Sequence, residues 1–189
     1  MKKRKWQKFW GAAGMVCLLL SGCGRELEER DFPSLLIVDE VPLEQALQDA
    51  QAKSSLYLDY GQVKTVLLSE ETAMDAGALQ DVLLYLEENP IFARNMLFFV
   101  GDKKALKTAE LQKDKAGDTL EDFYKNNPLL EKDASVTLGE MLDYLHNGKM
   151  DICIPKVAAK EGELEVKGGI VLEKEAVQTG SSPVWRSAE

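Results

Sequence analysis

The chain has 189 residues, with 23 Lys and Arg against 32 Asp and Glu, a formal net charge of −9 at pH 7. That length suffices for one domain with its own core, and the acidic excess opposes contact with nucleic-acid phosphates, so no nucleic-acid partner is expected. One histidine and the one cysteine, Cys153, left free by the leader described next cannot supply a zinc site, and no phosphate-cradling glycine loop is present, so neither metal nor cofactor is expected.

Five basic residues, Lys2, Lys3, Arg4, Lys5 and Lys8, precede an apolar run over 9–20 that leads into Leu20-Ser21-Gly22-Cys23. A positive head, an apolar middle and small residues before a cut describe a secretory signal peptide. The apolar run is 12 residues long, whereas a membrane-spanning helix needs about 20. Gly22, Gly24 and the charges from Arg25 onward end it abruptly. With cysteine after the small pair, the segment resembles the lipobox of bacterial lipoproteins. The resemblance implies a signal peptide over 1–22, a diacylglycerol thioether on Cys23, and a lipidated tether over 23–31.

Removing that leader leaves 18 basic and 32 acidic side chains, a net charge of −14. Such a body is repelled by anionic head groups, so membrane contact is expected through the Cys23 lipid, where two or more acyl chains hold stably. Cys17 departs with the leader and Cys23 carries lipid, leaving Cys153 within Ile152-Cys153-Ile154. No intramolecular disulfide can then form, and the domain rests on its hydrophobic core. Cys153 reads as a small buried hydrophobe, with no histidine near it in sequence.

The run Leu35-Leu36-Ile37-Val38 predicts a short buried strand. Pro42 opens a helix whose stripe is Leu43, Ala46, Leu47 and Ala50. Asp59-Tyr60-Gly61 is a turn, and 63–68 a second strand. A helix follows, broken near Gly77 and resumed with Leu79, Val82, Leu83 and Leu86 on one face, until Asn89-Pro90 stops it. Residues 96–100 form a third strand ended by Gly101, and a helix begins at Asp102. Asp118 and Glu121 look like the start of another, stopped by Asn127-Pro128. Thr137 and Glu140 make a capping box before the stripe Leu138, Met141, Leu142 and Leu145, closed by Asn147-Gly148. The last strands are 151–157 and 164–172, with a bulge or tight turn at Gly168 and Gly169. From Ala176 no apolar period remains, and 176–189 reads as a disordered tail. Alternating strands and helices over 32–175 argue a single α/β domain, a mixed sheet covered by helices.

Chemistry is sparse. His146 lies in the last turn of its helix, where it complements the carbonyl end. The acid pairs Glu70-Glu71 and Glu87-Glu88 read as solvated helix ends. Asp59 beside Tyr60 is the least routine carboxylate, but glycoside chemistry needs two acids about 5–10 Å apart across a sugar. The constructive reading is a binding or assembly module, not an enzyme.

In order behind Cys23, several motifs together resemble the N-terminal domain of the Ger(x)C family, the lipoprotein C subunits of spore germinant receptors. They are Arg25-Glu26-Leu27-Glu28, then Tyr57, Asp59-Tyr60-Gly61, Val63-Lys64 and Val66-Leu67-Leu68 with Glu70-Glu71. Next come Leu83-Leu84-Tyr85-Leu86, Asn89-Pro90, Arg94-Asn95 and Lys104-Ala105-Leu106, then Leu138, Leu142, Ile154-Pro155 and Gly168. This chain has Gln62 and Ser69 where the family often has histidine and glycine, and only Asp39-Glu40-Val41 where it usually has additional strand. Family members continue into further domains after the Gly168 strand, whereas this chain stops at Glu189. The resemblance implies no catalytic residue. It implies assembly with two integral membrane subunits on the outer face of the cytoplasmic (spore inner) membrane, in the response to nutrients. Asp59, Tyr60, Arg94 and Asn95 are then candidate partner contacts; alternatively Gly61 supplies a positive φ, Pro90 ends a helix and Tyr60 only packs. A stand-alone surface lipoprotein that binds a small ligand is the other reading.

Overall fold

The computed structural model describes residues 29–39, 42–127, 137–147 and 152–172. The leader, Cys23 and the 176–189 segment lie outside the described residues, as do Pro128 and Gly148. In chain order the elements are β1 (Arg30–Asp31), β2 (Leu35–Val38), α1 (Leu43–Lys53), β3 (Tyr57–Leu58), β4 (Thr65–Ser69), α2 (Glu70–Met74) and α3 (Ala76–Glu88). There follow β5 (Leu97–Gly101), α4 (Lys103–Gln112), α5 (Asp114–Asn126), α6 (Leu138–Asn147), β6 (Ile152–Lys160) and β7 (Glu163–Leu172).

The sheet order is β2-β4-β5-β6-β7, the first four strands parallel and β7 antiparallel to β6. A parallel sheet must be covered on both faces. Accordingly, all five residues of β4 and all five of β5 are buried. On one face Val66, Leu68, Phe98 and Val100 meet Leu43 of α1, Leu83 and Leu86 of α3, and Met141 of α6. On the other, Leu67, Leu97 and Phe99 meet Ala105 and Leu106 of α4 and Ala116 and Leu120 of α5. The result is a mixed five-stranded sheet between two helical layers.

The hairpin of β6 and β7 serves both cores through a bulge. Pro155 faces Gly169 but Val157 faces Val166, so Lys167 and Gly168 stand opposite Lys156 alone. Gly168 takes φ +67°, the left-handed conformation open to glycine. One extra residue flips the side-chain parity: Ile170 lies in the first core, Leu164 and Val166 against the second. The bulge anticipated from Gly168 and Gly169 is therefore present, and it bends the hairpin over α4. There Gln112 Nε2 donates to the Gly162 carbonyl at 2.7 Å. β6 runs on to Lys160, past the expected end at 157, because Glu161 and Gly162 both adopt positive φ in a two-residue turn. Cys153 is half-buried rather than buried, and a Cβ on Gly169 would sit 2.5 Å from its Sγ.

Two helix boundaries differ from expectation. The break expected near Gly77 falls two residues before it, at Asp75: the Asp75 N–H closes α2 on Glu71 O, and its carboxylate accepts from Ala78 N at 2.9 Å to start α3. A capping carboxylate thus separates the helices, and Gly77 sits in the first turn of α3. Likewise α5 starts at Asp114, not at Asp118 or Glu121. Lys113, at φ 51°, ends α4, and Ser34 N donates to Asp114 Oδ1 at 3.1 Å. Glu121 instead pairs with Lys64 at 3.0 Å and Lys125 at 2.6 Å. The Lys125 hydrogen bond first, then the Lys64 contact, hold its carboxyl below the usual range against the opposing effect of burial.

The box at Thr137 forms as expected: Thr137 N donates to Glu140 Oε2 at 2.9 Å, and Thr137 Oγ1 accepts from Glu140 N at 3.3 Å. Thr137→Ala should cost about 0.5–2 kcal/mol, read as a lower midpoint in urea; an unchanged midpoint would show that the hydroxyl does not hold the helix.

Glu121 also predicts an acid response. A depressed carboxyl pKa gives stability that is complete above the unfolded value of 4.5 and lost as pH falls through the lower folded value. Urea midpoints taken from about pH 5 to about pH 3 should therefore fall more steeply for the natural chain than for Glu121→Gln. Parallel curves would rule the ion pair out as a source of stability.

Candidate interaction surface

The parallel strands all begin at one end of the molecule, and both sequence-predicted contact segments lie there. The short parallel pair β1–β3 extends this end: Tyr57 N donates to Glu29 O at 3.1 Å and Asp59 N to Asp31 O at 2.8 Å. Asp59 then organises the 3-10 turn at Tyr60–Gln62. Its Oδ1 accepts from Gly61 N at 3.0 Å, and its Oδ2 receives Arg30 Nη1 at 3.2 Å. The same guanidinium lies 5.4 Å from the centre of the Tyr57 ring. Asp59 is thus committed to a turn and an ion pair. Gly61 does not have the positive φ allowed for it. It is among the described residues, and the glycines with positive φ there are Gly162 and Gly168. What glycine provides is space, since a Cβ would stand 3.1 Å from Asp59 Oδ1.

Tyr60 packs against the first core with Leu47 and Tyr85. Burial pushes its phenol pKa up, and the neighbouring Tyr85 adds to this. Tyr85 in turn stands 6.5 Å from Phe92, ring centre to ring centre. Tyr85 therefore joins the 59–61 turn to the 89–95 connection. That link was not legible from the sequence, where Tyr85 is one more residue of a helix.

In the connection, Arg94 has two faces. Its carbonyl accepts from Gly139 N at 2.8 Å, and the Met96 carbonyl accepts from Leu138 N at 2.9 Å. These bonds satisfy donors at the start of α6 that its own backbone cannot. The Arg94 side chain is exposed, with Nη2 4.0 Å from Glu87 Oε1, and Asn95 is exposed beside it. Glu87 also receives His146, Nε2 to Oε2 at 2.9 Å. His146 thus ties α6 to α3 as well as standing at its own helix end, and Glu87 is paired rather than merely solvated.

At the opposite end of the strands, a groove of about 680 Å³ is lined by Asp39, Leu43, Glu44, Thr72, Asp75 and Asp81, among others. No group of three His, Cys, Asp or Glu side chains able to hold a metal occurs among the described residues. The strand order β2-β4-β5-β6 runs one way without reversal, so the crevice that a reversal opens in doubly wound sheets is not formed there. No described helix is long and apolar enough to cross a membrane.

The fold and this end of it define a three-layer α/β domain whose recognisable loops are held by caps and packing. A family model described as the spore germination protein N-terminal domain matches residues 42–159, more than half of the chain. The chain belongs to the Ger(x)C family of spore germination proteins through this N-terminal domain, which gives it a role in germination. The family is a non-catalytic component of that process. No curated protein and no solved structure matched the chain.

The two contact candidates separate by stability. Tyr60→Ala should cost about 1–3 kcal/mol by emptying part of the core edge, whereas Arg94→Ala should stay within about 0.5 kcal/mol. Equal losses in thermal melts of the two variants would mean that the Arg94 side chain is structural too.

Proposed function

We propose that this protein is a lipid-anchored subunit of a germinant-receptor-like membrane complex. It works by assembly rather than catalysis, held by the Cys23 lipid on the outer face of the cytoplasmic (spore inner) membrane. Its partners are two integral membrane subunits. The observation that carries the reading is the germination-domain match over 42–159 lying behind Leu20-Ser21-Gly22-Cys23. Arg94 and Asn95 are the favoured contact residues, because their side chains are exposed on a connection whose backbone is fixed by α6. Asp59 and Tyr60 act chiefly by shaping the adjoining turn.

Affinity purification of the tagged, full chain from spore membranes should recover two polytopic proteins, and the Arg94→Ala, Asn95→Ala double variant should recover less of them. Undiminished recovery moves the contact elsewhere; no polytopic protein recovered overturns the assembly reading. A stand-alone lipoprotein that binds a small ligand would use the 680 Å³ groove and purify without membrane partners. Separately, Cys23→Ala should abolish incorporation of labelled fatty acid and cleavage after Gly22. Unchanged labelling would refute the anchor.

A further inference from the structure

We infer that the strand-N-terminal end of this domain, carrying Phe32, Tyr57 and Ile91, lies against the lipid bilayer. The inference rests on the lipid anchor proposed above and adds an orientation and a contact surface to it. Seven residue steps separate Cys23 from Arg30 in β1. A chain advances at most about 3.6 Å per residue, so Cys23 stands no more than about 25 Å from Arg30 whatever the path between them. A domain of this size is about 35 Å across. The tether therefore cannot pass from Arg30 around to the far end, and the C-terminal ends of the strands cannot rest on the membrane. The end nearest the anchor is the one built by β1, β3 and the entries to β2 and β5.

Three of the five large apolar side chains left exposed among the described residues are at that end; the others are Met74 and Leu111, the latter near the end of α4. Phe32, between β1 and β2, is 48% exposed; Tyr57, on β3, 51%; Ile91, in the connection entering β5, 52%. Burying them against protein is not achieved within the domain, and exposed apolar groups gathered at one end mark a contact surface. Their chemistry suits a lipid interface. Tyrosine and arginine occupy the head-group level of bilayers, an apolar body below and a polar tip in water. Here Arg30 lies over the Tyr57 ring and is paired with Asp59. The pair carries no net charge, so the contact does not depend on anionic lipid. Glu29 and Asp31 beside the pair are exposed acids, and the processed chain has a net charge of −14, so the contact suits uncharged zwitterionic lipid and not an anionic surface.

The test uses the full, lipidated chain in vesicles of phosphatidylcholine doped with doxyl-labelled phosphatidylcholine, a quencher confined to the bilayer. In a Cys153→Ala background, Phe32→Cys, Ile91→Cys and Met74→Cys each receive a small thiol-reactive fluorophore. Met74 is the control: it is 41% exposed but ends α2, beyond the C-terminal end of β4. Mass spectrometry of each sample reads the diacylglyceryl group on Cys23. The expected result is loss of fluorescence at positions 32 and 91 and none at 74. With the lipid present, absent quenching at 32 and 91, or equal quenching at all three, overturns the orientation and leaves the anchor standing. Absence of the lipid mass overturns both.

Discussion

Burial of β4 and β5 on both faces is the constraint from which the rest follows. Five consecutive buried positions in each of two neighbouring strands require a complete helical layer on each side, and the two layers are built by different means. The first uses α3 and α6, with broad stripes of leucine and methionine. The second has only α4 and α5, whose buried faces are largely alanine, and it lies close to the sheet. Gly117 shows how close: a Cβ there would stand 2.5 Å from Ser34 Oγ and 3.1 Å from the Ser34 carbonyl carbon. What the small helices leave open, the bent hairpin covers with Val157, Leu164 and Val166.

Most of this architecture was legible as local signals. Apolar runs marked β2, β4 and β5, because strands buried on both faces need no alternation. The Thr137–Glu140 spacing marked α6, because a capping box is a local exchange of two hydrogen bonds. Part of what local signals do not give depends on distant partners. The start of α5 at Asp114 is set by Ser34, eighty positions earlier in sequence, and Asp118 with Glu121 mimicked a start while serving as partners of Lys64. The break near Gly77 is readable from the glycine, while the carboxylate cap at Asp75 does the separating. The Glu161-Gly162 turn is a local signal too, two residues in the left-handed region beside the Gly168-Gly169 bulge.

The surface was legible in pieces and not as a whole. Asp59-Tyr60-Gly61 and Arg94-Asn95 stand out in the chain, but nothing local says that Tyr85 and Phe92 join them or that both sit where the strands begin. Parallel topology does that: each crossover returns the chain to the same end, so segments thirty residues apart in sequence share one edge. Such an edge is a natural place for recognition in a domain whose strand order offers no crevice. Its loops can vary in exposed side chains while their backbones remain tied to the helices.

The 89–96 connection has an unusual standing among loops. Its carbonyls at Arg94 and Met96 hold the first turn of α6, while Glu87, just before it, holds the last through His146. The segment and the helix therefore form a closed frame, fastened at both ends. Loops ordinarily absorb insertions during descent, but lengthening this one would pull a helix out of the core. Change in it should be confined to substitution, with its length kept, whereas the Glu161-Gly162 tip is held by one side-chain bond, from Gln112, and has space before it to grow.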